Sequence, residues 1–539
     1  MKPPWRWAAC VVALGLVVTG CGRSAPKQSA PGQTGGERPA AAASRPIREQ
    51  LLAGAVTILS GLDRYDEARG AEQVFDRLVQ WSHAAGDAAS WRPDPLLESL
   101  PEDLRQAGKE GLDRELFDAG GDVIAIRDRI WLAAVARTAR GDARDDLDVA
   151  LALFRWTVRS LAVVSDPPMV PSESAPGSRW FQPGEIMLAG RGSGPQRAWI
   201  FIELLRQAGL DGVMLATSAG EGVPPRPWLP ALVSGGEAYL FEPVYGMPVP
   251  GPGGEGVATV RQAAADPAIL ESLSLPGRPY PIKAADLARL GVLVVADPWS
   301  MSRRMARLDA DLARVHGVSV ASDASALADR ATAALPGEGR TSRGLWTFPW
   351  ITVARRPQAG AALAEELGPL EVPLPTPDAV RGGELFRPLF AGRVREFRGD
   401  LDGPAGAKAA YMAARPSRRM MNEAVAPLPE PQAAAVTNRL IRMKEDATYW
   451  LGLVMLSEGQ FAAAEDYLRR MTLDAAPDSR WTDAARVNLA AALVGLGRRA
   501  EAAAVLREDD SAQRFGSRLR ADQLDRPEPA ADPRPAAAQ

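Results

Sequence analysis

Arg191-Gly192-Ser193-Gly194-Pro195-Gln196-Arg197-Ala198-Trp199-Ile200-Phe201-Ile202-Glu203-Leu204-Leu205-Arg206-Gln207-Ala208-Gly209 is the stretch on which the fold turns. Ser193 and Gln196 have the spacing of a capping box, in which a hydroxyl and a side-chain amide satisfy each other's backbone N–H groups. Pro195 falls in the first turn, where its missing N–H costs nothing. Gly209 supplies the stop. Between these signals Trp199, Ile200, Phe201, Ile202, Leu204 and Leu205 make the segment apolar nearly all round, which predicts a helix buried at the centre of a domain. Further on, Val213-Met214-Leu215-Ala216 reads as a short buried strand. Trp228 to Val233, the turn Ser234-Gly235-Gly236-Glu237 and Ala238 to Glu242 then read as a hairpin.

In order and spacing this region resembles the nucleophile helix and following strands of the transglutaminase-like superfamily. There, Arg-Gly-Asp-Cys opens an apolar helix that ends in Leu-Leu-Arg, His-x-Trp opens one strand, and Asp-Pro closes the next. The resemblance implies an α+β, papain-like core. It places Gly194 at the nucleophile position, Arg226 (in Arg226-Pro227-Trp228) at the base, and Glu242 (in Glu242-Pro243) at the carboxylate that orients the base. Acyl transfer by a thiol needs a thiolate, a base to take its proton and a group to align that base. Glycine offers no nucleophile, and a guanidinium with a pKa above about 12 cannot act as a base. The expectation is therefore a pseudoenzyme with no catalytic residue. Restoring Gly194→Cys together with Arg226→His would rebuild the three roles around Glu242. The alternative is a hydrolase or acyl transferase with a reassigned, non-thiol site using Ser193, Arg226 or Glu242. It lacks an evident base, because the chain's two histidines, His83 and His316, fall outside this region.

The N-terminus combines Lys2 and Arg6, an apolar run from Ala8 to Val18, and Val18-Thr19-Gly20-Cys21, the layout of a secretory signal. The last four residues resemble a bacterial lipobox, which implies cleavage before Cys21, its lipidation, and a membrane partner reached through that anchor. A plain secretory signal or an uncleaved anchor is the competing reading, although the run is short for a span. Gly22 stands where many inner-membrane lipoproteins carry Asp, which favours the outer membrane. Cys10 and Cys21 are the only cysteines, so after cleavage no thiol remains for a disulfide. His and Cys are too scarce for a metal site, and no cofactor is expected. A net charge of -3 gives no sign of a nucleic-acid surface.

The expected organisation is α+β, with a lipoprotein signal over 1–21 and a disordered tether over 22–46. A helical lead-in covers 47–146, the transglutaminase-like core 147–256, and a mixed helical and strand connector 257–383. Helices near Val257 to Ser272 and Trp299 to Val315 and a strand-like Leu345 to Val353 fall in that connector. Over 384–509 the chain becomes helical. Gly452, Gly459, Phe461, Ala464, Leu468 and Pro477, followed by Leu489, Gly497, Ala502 and Leu506, resemble tetratricopeptide units, which implies an envelope protein or peptide as partner. The turn glycines Gly459 and Gly497 are separated by a few residues more than the repeat's period of about 34. Helices over Glu384 to Phe397 and Ala405 to Ala414 would complete the stack, and 510–539 reads as a disordered tail. Gly251-Pro252-Gly253-Gly254-Glu255-Gly256 satisfies a dinucleotide-binding pattern, but with Pro in the turn and no strand–helix context it reads as a loop. Arg303, Arg304, Arg418 and Arg419 read as solvated faces. Trp299, Trp346 and Trp350 read as core.

Overall fold

The computed structural model describes residues 40–65, 67–85, 91–165, 179–217, 225–336, 342–374 and 386–526. Five helices come first: α1 (Ala40–Ser60), α2 (Glu67–Ala85), α3 (Glu102–Leu112), α4 (Asp122–Arg140) and α5 (Asp146–Ser160). Strand β1 (Ala162–Val163) pairs in parallel with β2 (Arg191–Gly192), which follows α6 (Pro183–Ala189) and leads into α7 (Gly194–Gln207). Next come β3 (Asp211–Thr217), β4 (Arg226–Ser234), β5 (Glu237–Glu242) and β6 (Met247–Pro248), then α8 (Val260–Ala265), α9 (Pro267–Glu271) and β7 (Leu290–Val294). Helices α10 (Arg303–His316) and α11 (Ala324–Ala333), strand β8 (Arg343–Leu345), and helices α12 (Thr347–Arg355) and α13 (Gly360–Leu367) follow.

The architecture is α+β. Six strands form one sheet in the order β6-β5-β4-β3-β7-β8, antiparallel except for the β7–β8 pair. The strand and hairpin expected from 213 to 242 are present, with Ala231 opposite Leu240 and glycines 235 and 236 at positive φ in the turn. Side chains alternate across β5. Tyr239 and Phe241 pack towards α7, and the Phe241 ring lies 4.8 Å from that of Phe201. Ala238 and Leu240 point into a second core on the other face, shared with Leu229, Tyr280, Leu327 and Trp350.

The C-terminal region is helical: α14 (Pro388–Arg398), α15 (Ala407–Ala413), α16 (Arg418–Val425), α17 (Glu430–Ser457), α18 (Phe461–Glu465), α19 (Thr482–Gly495), α20 (Arg499–Arg507) and α21 (Arg514–Leu524). A π-helical stretch, Asp466–Asp474, continues α18. Gly459 and Gly497 occupy the turns between α17 and α18 and between α19 and α20, at φ 71° and 74°. Gly452 has no room for a side chain, since a Cβ there would lie 3.0 Å from Leu468. The region also packs against the sheet-bearing core. A Cβ on Gly190 would meet Trp450 at 3.2 Å and Trp481 at 3.3 Å, and Asn488 donates to the Arg159 carbonyl.

Several expected boundaries move. Helix α1 starts at Ala40, inside the expected 22–46 tether, because Ala40 to Ala43 are strong helix formers. The 257–383 segment is no connector: β7 and β8 extend the sheet, so its core does not end at 256. Strand β7 is buried along its whole length, which removes the polar alternation that marks a strand. Of the strand-like Leu345 to Val353, only Leu345 is in β8. Pro349 lies in the first turn of α12, where a missing N–H is tolerated as it would not be in a central strand.

The expected 510–539 tail also contains α21, whose Gly516, Ser517 and Ala521 are buried. Part of the polar surface here is satisfied internally: the Asp509 carboxylate accepts from the Ser511 N–H and the Ser517 hydroxyl. Arg304 is not a solvated face but a buried partner of Asp122 at 2.5 Å. Arg418 and Arg419 are exposed, and Trp346 and Trp350 are core residues. The signal, Cys21, the tether up to residue 39, and 527–539 lie outside the described residues.

Candidate functional site

The start of α7 is built as its local sequence requires. The Ser193 N–H donates to Gln196 Oε1 at 3.0 Å, and Ser193 Oγ accepts the Gln196 N–H at 3.4 Å. Ser193 is buried and its hydroxyl serves the cap. Gly194 is the first helical residue and Pro195 the second. The motif's charged residues also have structural partners. Glu203, fully buried, lies 2.7 Å from Arg129 of α4, which reaches Asp297 at 2.6 Å. Arg206 donates to Glu203 at 3.1 Å and to the Val295 carbonyl.

One turn into α7, Arg197 is fully buried and projects towards the end of α5. Its Nε donates to the Leu161 carbonyl at 2.7 Å and Nη2 to the Val158 carbonyl at 3.3 Å. Nη1 reaches the Pro243 carbonyl at 2.9 Å and Gln513 Oε1 at 2.7 Å. The first two acceptors are carbonyls at the C-terminal end of α5, which intrahelical bonds leave open and where the helix dipole favours a cation. Burial lowers the Arg197 pKa to about 9, and Tyr449 and Asp509 oppose that shift, so the guanidinium stays charged at neutral pH. Trp199 does not enter this space; its ring lies edge-on to Phe348 at 6.0 Å.

Of the three positions expected to correspond to a triad, Glu242 turns its side chain to the face of the sheet away from α7. Arg226 is exposed at the start of β4, opposite Thr217 of β3. Glu242, at the end of β5, follows Phe241 and so faces away from α7. Its Oε2 accepts from the Tyr280 hydroxyl at 2.8 Å, Oε1 accepts from the Val244 N–H at 3.0 Å, and Trp228 Nε1 donates to the Tyr280 oxygen at 3.1 Å. Burial raises the Glu242 pKa, while hydrogen bonds from Tyr280, Val244 and Tyr245 partly offset the rise. Trp228 and Glu242 are thus brought together, through Tyr280 and on the far face. Restoring a thiol at 194 and an imidazole at 226 would leave Glu242 committed elsewhere, contrary to the sequence expectation.

A small cleft of about 40 Å³ does open beside the first turn of α7. Arg191, Arg197, Arg480, Asp483, Asn488 and Gln513 supply polar groups to its wall, over an apolar floor that includes Val158 and Ala162. The space suits a few waters or one small ligand group. Behind it, Glu366 gathers Arg179, Arg191 at 3.0 Å and Arg480 at 3.0 Å, and Arg480 continues to Asp446 at 2.6 Å. Burial alone would raise the Glu366 carboxyl, but the three guanidinium groups hold it below its usual range.

Sequence reasoning missed Tyr280, Arg191, Arg197, Arg480 and Gln513. An isolated cation opening an apolar helix was the available signal for Arg197, whereas Gln513 lay in a stretch whose composition read as disordered. Neither histidine lines the cleft, and among the described residues no cluster of His, Cys, Asp and Glu could hold a metal ion. No protein-family model, curated protein or solved structure matches the chain.

Proposed function

We propose that this chain is a membrane-anchored lipoprotein of the cell envelope, in which a catalytically silent transglutaminase-like core and a helical repeat region act as a protein-binding scaffold. The observation that carries the reading is the chemistry at the start of α7. Gly194 stands at the nucleophile position, Ser193 is spent on the helix cap, and Arg197 is clamped by four acceptors beside it. The inner side of the repeat is taken up by the core, through Trp450, Trp481 and Asn488. Partner binding is therefore assigned to its outward side, where Met412, Met420, Ile441, Val494 and Leu496 are exposed. Anchoring rests on the lipobox at Cys21.

The reading is tested by assaying the full chain for hydrolysis of peptide amides and esters, and by fractionating cells that carry the parent or Cys21→Ser. No turnover is expected, with the parent in membranes and the variant released. Turnover abolished by Ser193→Ala would overturn the silent core. Equal release of both proteins would overturn the anchor.

A further inference from the structure

We infer that the cleft between the first turn of α7 and the helical region is a binding site for a small oxyanion, a carboxylate or phosphate group carried by a ligand. This goes beyond the scaffold reading and depends on neither lipid anchoring nor a protein partner. The first observation is the balance of charge in the wall, where three guanidinium groups (Arg191, Arg197 and Arg480) face one carboxyl group, Asp483. Arg191 and Arg480 share Glu366, and Arg480 also holds Asp446, but every hydrogen-bond acceptor of Arg197 is neutral. Asp509, the acid whose field reaches Arg197, has its carboxylate occupied by Ser511 and Ser517.

The second observation is independent of charge. Two polar atoms of the lining residues are buried without a partner, Arg191 Nε and Gln513 Nε2, and both are donors. Gln513 is 2 % exposed, so bulk water does not satisfy it. Unmatched buried donors each cost about 1–3 kcal/mol, and an acceptor-rich group relieves them. An oxyanion supplies acceptors and charge together, and arginine forks suit its planar or tetrahedral oxygens. The volume fits the group itself and excludes a bulky one, so any larger ligand must leave its remainder at the mouth. The wall comes from two parts of the fold, with Arg191 and Arg197 from the α7 side and Arg480, Asp483 and Asn488 from the repeat side. A bound oxyanion therefore bridges core and repeat.

Asp483 makes the test specific. It is the acid in the wall, and it pairs with Arg486 at 3.2 Å, which does not line the cleft. Removing its charge has no reason to strengthen a purely structural contact, but it should strengthen anion binding. The full chain is titrated calorimetrically, and melted, with sodium phosphate, sodium acetate, N-acetyl-alanyl-alanine and the amide of that dipeptide, each against sodium chloride of equal ionic strength. Expected are binding of at least one oxyanion, none of the amide, weakening of about tenfold in Arg191→Gln and in Gln513→Ala, and tightening of a few-fold in Asp483→Asn. Preference for the acetylated dipeptide over acetate assigns a peptide carboxyl terminus, and preference for phosphate assigns a phosphorylated ligand. Failure of every oxyanion to outdo chloride overturns the inference, as does affinity unchanged in both Asp483→Asn and Gln513→Ala. None of these outcomes bears on membrane release of Cys21→Ser or on turnover.

Discussion

Tyr280→Phe tests where Glu242 has gone. The phenol donates to the Glu242 carboxylate at 2.8 Å and accepts from Trp228 at 3.1 Å, with Tyr280 and Glu242 both nearly inaccessible to water. A hydrogen bond to a charged group contributes about 1.5–3 kcal/mol, against roughly 1 kcal/mol for a neutral one. The pH dependence has a definite sign. Burial raises the folded pKa of Glu242 above that of the unfolded chain, near 4.3 for a free glutamate. The folded protein therefore holds this proton more tightly, and the stabilisation is complete below the unfolded value and lost as pH rises through the folded one. Removing the phenol withdraws a bond that favours the carboxylate, so it raises the folded pKa further and costs most when Glu242 is ionised.

The variant should lose about 2–3 kcal/mol on the alkaline side of the Glu242 titration and about 1 kcal/mol on its acid side, read from urea denaturation midpoints of parent and variant across a pH series. An equal loss on both sides of that titration, or a larger loss in acid, would refute the assignment of Glu242 as a buried carboxyl group held by Tyr280. A Tyr280→Phe protein as stable as the parent throughout would show that the pair does not form.

Arg197→Met should destabilise the chain by at least about 1–3 kcal/mol in the same assay, the cost of a single buried acceptor left unsatisfied, because it leaves four carbonyl and amide oxygens without their donor. Limited proteolysis should then cut first near Asp509 to Gln513, since the Gln513 contact is lost with it; a cleavage pattern identical to the parent's would contradict the clamp. Gly194→Cys combined with Arg226→His should remain inactive in thiol-dependent amide hydrolysis even when folded, because Glu242 faces the opposite side of the sheet from α7. Measured turnover by that double variant would reinstate the triad geometry. A chain ending near Ala426 should fail to fold, as it removes Trp450, Trp481 and Gln513 from the core they cover. A cooperative urea transition in that fragment would mean the helical region is an independent module.

The legible parts of this fold are those whose signals lie close together in the chain. Helix α7 announces itself through Ser193, Gln196, Pro195 and Gly209, and the β4–β5 hairpin through Gly235 and Gly236 between two apolar runs. The destination of Glu242 was hidden for a physical reason. The sheet is buried on both faces, so Leu240 and Phe241 are equally apolar and the sequence carries no polar alternation from which to tell which face position 242 occupies. Spacing to a neighbouring motif survives a change of face; the side-chain contacts do not. Strand β7 was missed for the same reason.

The cleft was illegible because its wall is assembled from residues more than three hundred positions apart, Arg191 and Arg197 on one side and Ser511 and Gln513 on the other. Composition argued against order at the second group, since a polar, Asp- and Arg-rich segment has little apolar surface to bury. What orders it is polar in part, with Asp509 closing on Ser511 and Ser517 and Gln513 accepting from Arg197, and apolar in part, with Phe515 and Leu519 packed on the second core. Arg197 is thus both the cation that fastens the C-terminal segment and the one wall guanidinium without a direct carboxylate partner. An oxyanion entering the cleft would accept from Arg197 and from Gln513 Nε2 together, so occupancy of the site and attachment of the α21 segment should be linked. A ligand that spans Arg197 and Gln513 therefore changes how firmly α21 is held.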